Sequence, residues 1–179
     1  MNYFIVLLIM LIFVSYIIKF DILVLTAHKF YSMFHNYIID SQHQIIKNLW
    51  LGDRYSPVDK VFIKKNNIKL VINCTKDIIY NLHNVDIIRI PIDDNRSDQS
   101  NLIMKQYFNK YYDTVDNYLN KNNGVLVHCY SGCQRSATFI CLFLMKKFKL
   151  DYQLCKRKII SKRFLAFFPF VNFHKILIQ

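Results

Sequence analysis

Val125-Leu126-Val127 runs straight into His128-Cys129-Tyr130-Ser131-Gly132-Cys133-Gln134-Arg135-Ser136, and apolar residues dominate from Ser136 to Phe148. A short apolar run, a polar loop and a longer apolar-rich run predict a buried strand, a tight connection and a helix. A strand that feeds a helix in this way belongs to an α/β fold, and it sets the loop at the helix N-terminus. Unpaired N–H groups and the positive end of the helix dipole favour an anion there. The chain has only 3 glycines, so Gly132 in mid-loop suggests backbone that must approach a ligand closely.

The side chains in the loop fit one chemistry. Thiols at helix N-termini and beside cations ionise readily, which favours Cys129 as a thiolate nucleophile, with His128 assigned to its support. The planar fork of Arg135 suits two phosphate oxygens at once, a hold that lysine does not reproduce. Ser136 is placed to donate to the sulfur, making it a better leaving group when a covalent intermediate breaks down. Tyr130, Ser131, Gly132, Cys133, Gln134 and Arg135 form the expected substrate cradle.

These residues resemble the signature of the cysteine-dependent phosphatases: His-Cys, a short variable loop, Arg, then Ser or Thr. The spacing around Gly132 and the Ser after Arg135 point to the dual-specificity branch. The resemblance extends from about Gln44 to Leu177. It takes in Asn48-Leu49-Trp50-Leu51-Gly52, Leu70-Val71-Ile72-Asn73-Cys74-Thr75, Ile90-Pro91-Ile92-Asp93-Asp94-Asn95, and Lys162-Arg163 followed by Pro169 and Phe173. It implies an α/β cysteine-phosphatase-like fold, a mainly parallel central sheet flanked by helices. It further implies dephosphorylation of phosphotyrosine and phosphoserine/phosphothreonine proteins through a cysteinyl-phosphate, with no metal and no cofactor. Position after Ile90-Pro91 puts the family's general acid on Asp94, with Asp98 and Asp93 open as alternatives. Cys74, at a strand end that the fold should set beside the loop, is a candidate redox partner of Cys129, with Cys133 competing. A phosphoinositide or phospholipid phosphatase is the runner-up, a non-catalytic phosphoprotein-binding module a third reading, and an RNA 5′-triphosphatase a remote fourth.

Composition narrows the rest. A hydrophobic share of 53% in 179 residues allows one domain with a real core. The 5 cysteines are an odd count without paired spacing, which argues against a disulfide framework or a zinc site and for a reducing compartment. The net charge of +12 gathers at Lys146, Lys147, Lys149, Lys156, Arg157, Lys158, Lys162 and Arg163, read as solvated helix faces. Specific nucleic-acid binding is not expected, because no recognition motif accompanies the charge.

Residues 2–18 carry no charged side chain and would form a helix of about 26 Å, just long enough to span a bilayer. Lys19 and Lys29 follow, and no Lys or Arg precedes. The positive-inside rule then implies a single-pass membrane protein whose catalytic domain faces the cytosol. The expected organisation is an N-terminal hydrophobic helix and membrane anchor over 1–20, a linker over 21–43 and a catalytic domain over 44–179. Within the last, Ile45 to Leu51, Leu70 to Cys74, Ile87 to Ile90 and Val125 to His128 read as strands. Met104, Phe108, Tyr111, Val115 and Tyr118 recur at helical spacing and read as the core stripe of an amphipathic helix.

Overall fold

The computed structural model describes residues 40–178, of which 41–178 lie in the compact unit Ser41–Gln179. Its 5-stranded sheet runs in the order β1-β2-β5-β3-β4: β1 (Gln42–Ile46), β2 (Leu49–Gly52), β5 (Gly124–His128), β3 (Ile68–Asn73) and β4 (Asp86–Arg89). β1 is antiparallel to β2, and every other pairing is parallel. The sheet is therefore mixed, with one antiparallel edge. β1 starts two residues ahead of the boundary read from the sequence.

Ile45 to Leu51 is a hairpin and not the single strand expected. Asn48 takes the left-handed conformation (φ 63) between β1 and β2, and asparagine tolerates it better than most residues. The apolar runs Ile45-Ile46 and Leu49-Trp50-Leu51 leave only Lys47-Asn48 to mark the turn.

Among the described residues five α-helices flank the sheet: α1 (Lys60–Lys65), α2 (Asp98–Asn120), α3 (Arg135–Phe148), α4 (Tyr152–Lys162) and α5 (His174–Leu177). Asp59 caps α1, Ser97 caps α2 and Asp151 caps α4, each accepting from a backbone N–H of the first turn. The central strands β2, β5 and β3 are largely buried on both faces, as parallel strands between helices are, whereas the edge strands β1 and β4 are mostly half-buried or exposed. Val125, Val127, Leu70 and Ile72 face a large core with Met104, Phe108, Phe139 and Phe143. Val71 and Leu126 face a smaller one with Phe62, where Trp50 meets the Phe62 ring edge-on at 5.0 Å. Of the predicted stripe, Met104, Phe108 and Val115 are buried and Tyr118 packs against the core, whereas Tyr111 stacks on Tyr107.

The single-pass membrane placement does not stand. Among the described residues no helix is long and apolar enough to cross a membrane. α3 is apolar, but its 14 residues reach only about 21 Å against a hydrocarbon core of about 30 Å. α2 has the length, yet it carries Asp98, Lys105, Lys110, Asp113 and Asp116. The N-terminal hydrophobic helix and the anchor were read from residues 2–18, which lie outside the described residues, as does most of the expected linker.

Candidate active site

The parallel strands end together, and the loop Cys129–Gln134 opens where β5, between β2 and β3, passes into α3. This carboxyl edge is where open α/β sheets bind ligands. Neighbouring backbone ties the loop down. Cys129 N–H donates to the Gly52 carbonyl at 3.4 Å, Arg54 N–H to the Tyr130 carbonyl at 3.2 Å, and Phe167 N–H to the Cys133 carbonyl at 2.7 Å.

Cys129 is fully buried at the base of the loop, and the Ser136 hydroxyl donates to its sulfur at 3.1 Å. Arg135, the first residue of α3, reaches the Ile92 carbonyl at 3.2 Å through Nη1 and pairs with Asp94 at 3.2 Å through Nε. Burial alone would lower the Arg135 pKa, but the neighbouring Cys129 and Asp94 outweigh it and raise the value. The guanidinium stays charged. His128 is buried, with Nδ1 3.4 Å from the Cys129 carbonyl oxygen and its ring edge-on to Tyr80 at 5.3 Å. Burial pushes its imidazolium down to about 4, helped by Arg135 and opposed by the contact with the Cys129 carbonyl. His128 therefore sits beside Cys129 as a neutral ring at physiological pH.

The three candidate acids separate clearly. Asp94 lies against Arg135, whereas Asp93 is exposed and pairs with Lys76 at 3.1 Å. Asp98 opens α2 and pairs with Lys175 on the surface. Asn172 was not singled out in the sequence, yet its Nδ2 donates to Asp94 Oδ1 at 2.8 Å. That leaves Oδ2 as the oxygen turned to Arg135.

The cradle residues divide as well. Gly132 has φ 70, and a Cβ there would lie 2.7 Å from the Gly52 carbonyl oxygen and 2.9 Å from Arg163 Nε. The close approach that demands glycine is thus to the protein's own backbone and to Arg163. The Gln134 side chain turns away from the loop mouth, donating to the Phe168 and Phe170 carbonyls at 3.0 and 2.6 Å and accepting from Asn172 N–H at 3.2 Å. Cys133 is buried and its thiol donates to the Ser131 carbonyl at 3.5 Å, while Tyr130 is half exposed at the rim.

Arg163 is the second residue the sequence reading undervalued. It was counted with the solvated basic faces, but it is only 1% exposed. Its guanidinium donates to the Ser131 carbonyl at 2.8 Å and the Ser41 carbonyl at 3.4 Å, and lies 3.0 Å from His43 Nδ1. A buried cation under the loop adds to the field that favours an anion above it. Lys162-Arg163 stands both in the resemblance and in the basic cluster, and no local pattern marks which basic residue turns inward.

Cys74 follows β3 directly, one position past the Asn73–His128 pairing, and its N–H donates to the His128 carbonyl at 2.9 Å. It is fully buried, close enough to Cys129 to interact with it electrostatically. Burial pushes its thiol well above the ordinary value, and the neighbouring Cys129 adds to the rise. Among the described residues no cluster of three or more His, Cys, Asp or Glu is placed to hold a metal ion.

A strand-end cysteine at a helix N-terminus, with an arginine opening that helix and a carboxylate paired to the arginine, is the layout of cysteine-dependent phosphoric monoester hydrolases. Residues 49–179 match the family model of the dual specificity phosphatase catalytic domain, and the chain belongs to that family. It is 30% identical over 133 residues to a probable dual specificity protein phosphatase of Dictyostelium discoideum, covering 65% of this chain and 54% of that one. It is 33% identical over 122 residues to human dual specificity protein phosphatase 9, covering 64% and 31%. The chain thus spans about half or less of those two relatives. The crystal structure of human DUSP28 superposes with a TM-score of 0.68 at 17% identity, covering 78% of this chain and 92% of that chain. At that identity the likeness establishes the fold alone.

Proposed function

We propose that this protein hydrolyses phosphate monoesters on tyrosine and on serine or threonine residues of proteins. The observation that carries the reading is the Cys129–Ser136–Arg135–Asp94 constellation at the head of α3, with Ser136 Oγ 3.1 Å from Cys129 Sγ and Asp94 3.2 Å from Arg135. The phosphate oxygens sit on the loop N–H groups and the Arg135 fork, which gives up Asp94 to receive them. Cys129 sulfur attacks phosphorus; the S–P bond forms, the P–O bond to the leaving group breaks, and Asp94 gives its proton to the departing oxygen. Water then attacks the cysteinyl-phosphate, Asp94 takes one of its protons, and the S–P bond breaks while Ser136 donates to the leaving sulfur.

The loop side chains favour protein over lipid substrates, because Tyr130, Cys133 and Gln134 bring no cation to the pocket for a polyphosphorylated headgroup. Turnover of a phosphopeptide panel and a phosphoinositide panel by the full chain tests this. Release of phosphate from phosphotyrosine and phosphoserine peptides is expected. Turnover confined to phosphoinositides would move the assignment to a lipid phosphatase, and binding of phosphopeptides without turnover would move it to a recognition module.

The same geometry supports Cys74 as a redox partner. Peroxide converts the Cys129 thiolate to a sulfenic acid, and the Cys74 thiol displaces its oxygen as water, leaving a Cys129–Cys74 disulfide. Cys74→Ser should lose most of the activity that a thiol restores to the peroxide-treated wild type. Peptide mapping should find the bridge, and equal recovery in both proteins would remove Cys74 from this role.

A further inference from the structure

Arg54 stands at the rim of the phosphate loop in an arrangement the catalytic reading does not use. Its N–H donates to the carbonyl of Tyr130, the residue after the nucleophile, and its own carbonyl accepts from Tyr80 Oη at 2.6 Å. The guanidinium carbon lies 4.0 Å from the centroid of the Tyr130 ring and 4.5 Å from that of Tyr55. Both rings are about half exposed, at 49% and 45%. Rings on a guanidinium restrict its orientation while leaving its N–H edge open for an anion in its plane. One donor goes to the Tyr55 hydroxyl at 2.8 Å. Among the described residues no carboxylate forms an ion pair with Arg54. Even the adjacent Asp53 is buried and turned to its own turn, accepting from Tyr55 N–H, Ser56 N–H and the Ser56 hydroxyl. A cation held in place at the mouth of an anion site, with no ion-pair partner among the described residues, is set up to receive one from outside.

We propose that Arg54, framed by Tyr55 and Tyr130, is a second anion subsite that reads a negatively charged group flanking the phosphorylated residue of a peptide substrate. The tie between Arg54 and Tyr130 puts this subsite next to the catalytic loop. Tyr130 directly follows Cys129, so the group read lies close in sequence to the phosphorylated residue. A glutamate or aspartate and a second phosphorylated side chain offer the same oxygen chemistry. The inference rests on the phosphatase reading of the Cys129 loop and adds a substrate preference to it.

The test uses the full chain with three matched phosphopeptides: neutral flanks, a glutamate two residues from the phosphorylated position, and a phosphoserine at that place. The wild type should favour both charged peptides over the neutral one by about 5–10-fold in kcat/KM, chiefly through KM, the scale of a charge-assisted hydrogen bond at a partly exposed site. In Arg54→Ala that ratio should fall to about 1. Added salt should erode the preference in the wild type and leave the variant flat. A preference for the phosphoserine peptide alone would assign the subsite to a second phosphate. The same ratio measured as Kd on the Cys129→Ser protein separates the two readings. A binding preference that survives a failure of hydrolysis would count against the phosphatase assignment and for Arg54. Equal ratios in wild type and Arg54→Ala, or no preference in either, would overturn the subsite.

Discussion

Cys129→Ser is expected to lower phosphate-ester turnover by about 10⁴-fold or more, because a serine hydroxyl at the head of α3 lacks the thiolate's nucleophilicity. Ligand binding should survive, since the loop N–H groups and Arg135 remain in place. Arg135→Lys should cost about 10²–10³-fold, the loss seen when a preorganised donor to developing charge is removed. Lysine would also lose the grip on Asp94 and the Ile92 carbonyl that sets the arginine's direction. Turnover of an aryl phosphate, with phosphopeptide binding measured in parallel, checks both. Full activity in Cys129→Ser, or loss of wild-type activity on chelation by EDTA, would sink the cysteinyl-phosphate mechanism.

Asp94→Asn should slow hydrolysis of alkyl and phenyl phosphates by about 10²–10⁴-fold, while esters with acidic leaving groups, which need no proton, should suffer far less. Asp98→Asn should do little, because that carboxylate is exposed and engaged with Lys175. Asn172 gives the prediction a second edge. Its amide donates to Asp94 Oδ1, which requires that oxygen to accept and leaves the transferable proton on Oδ2. Asn172→Ala should therefore reproduce part of the leaving-group dependence in wild type and add nothing to Asp94→Asn. A larger leaving-group-dependent loss in Asp98→Asn would transfer the role to that residue.

Much of the architecture was legible along the chain. The strand, loop and helix from Val125 to Phe148 and the helix carrying Met104, Phe108 and Val115 follow from hydrophobic period and helix-start chemistry, which act over a few residues. The hairpin at Asn48 turns on the polar pair Lys47-Asn48 between two short apolar runs, a break too brief to separate two strands without the pairing of β1 with β2. The membrane placement rested on the apolar character of residues 2–18, and no helix among the described residues meets the length and apolarity a span requires.

The candidate site divides along the same line. Residue types set the reactive groups of the loop: a cysteine, an arginine and a serine around a helix start have few other uses, and their order brings them together whatever the rest of the chain does. The surroundings depend on contacts with no local signature. Asn172 meets Asp94 across 78 residues, and Arg163 reaches the Ser41 carbonyl across 122. Gly132 shows both levels at once. Its rarity in the chain announced a close approach, but the group approached is the Gly52 carbonyl and the Arg163 guanidinium. Periodicity records which face of an element is apolar, whereas the partner of a single polar side chain is settled only when distant elements pack and every buried donor must find an acceptor.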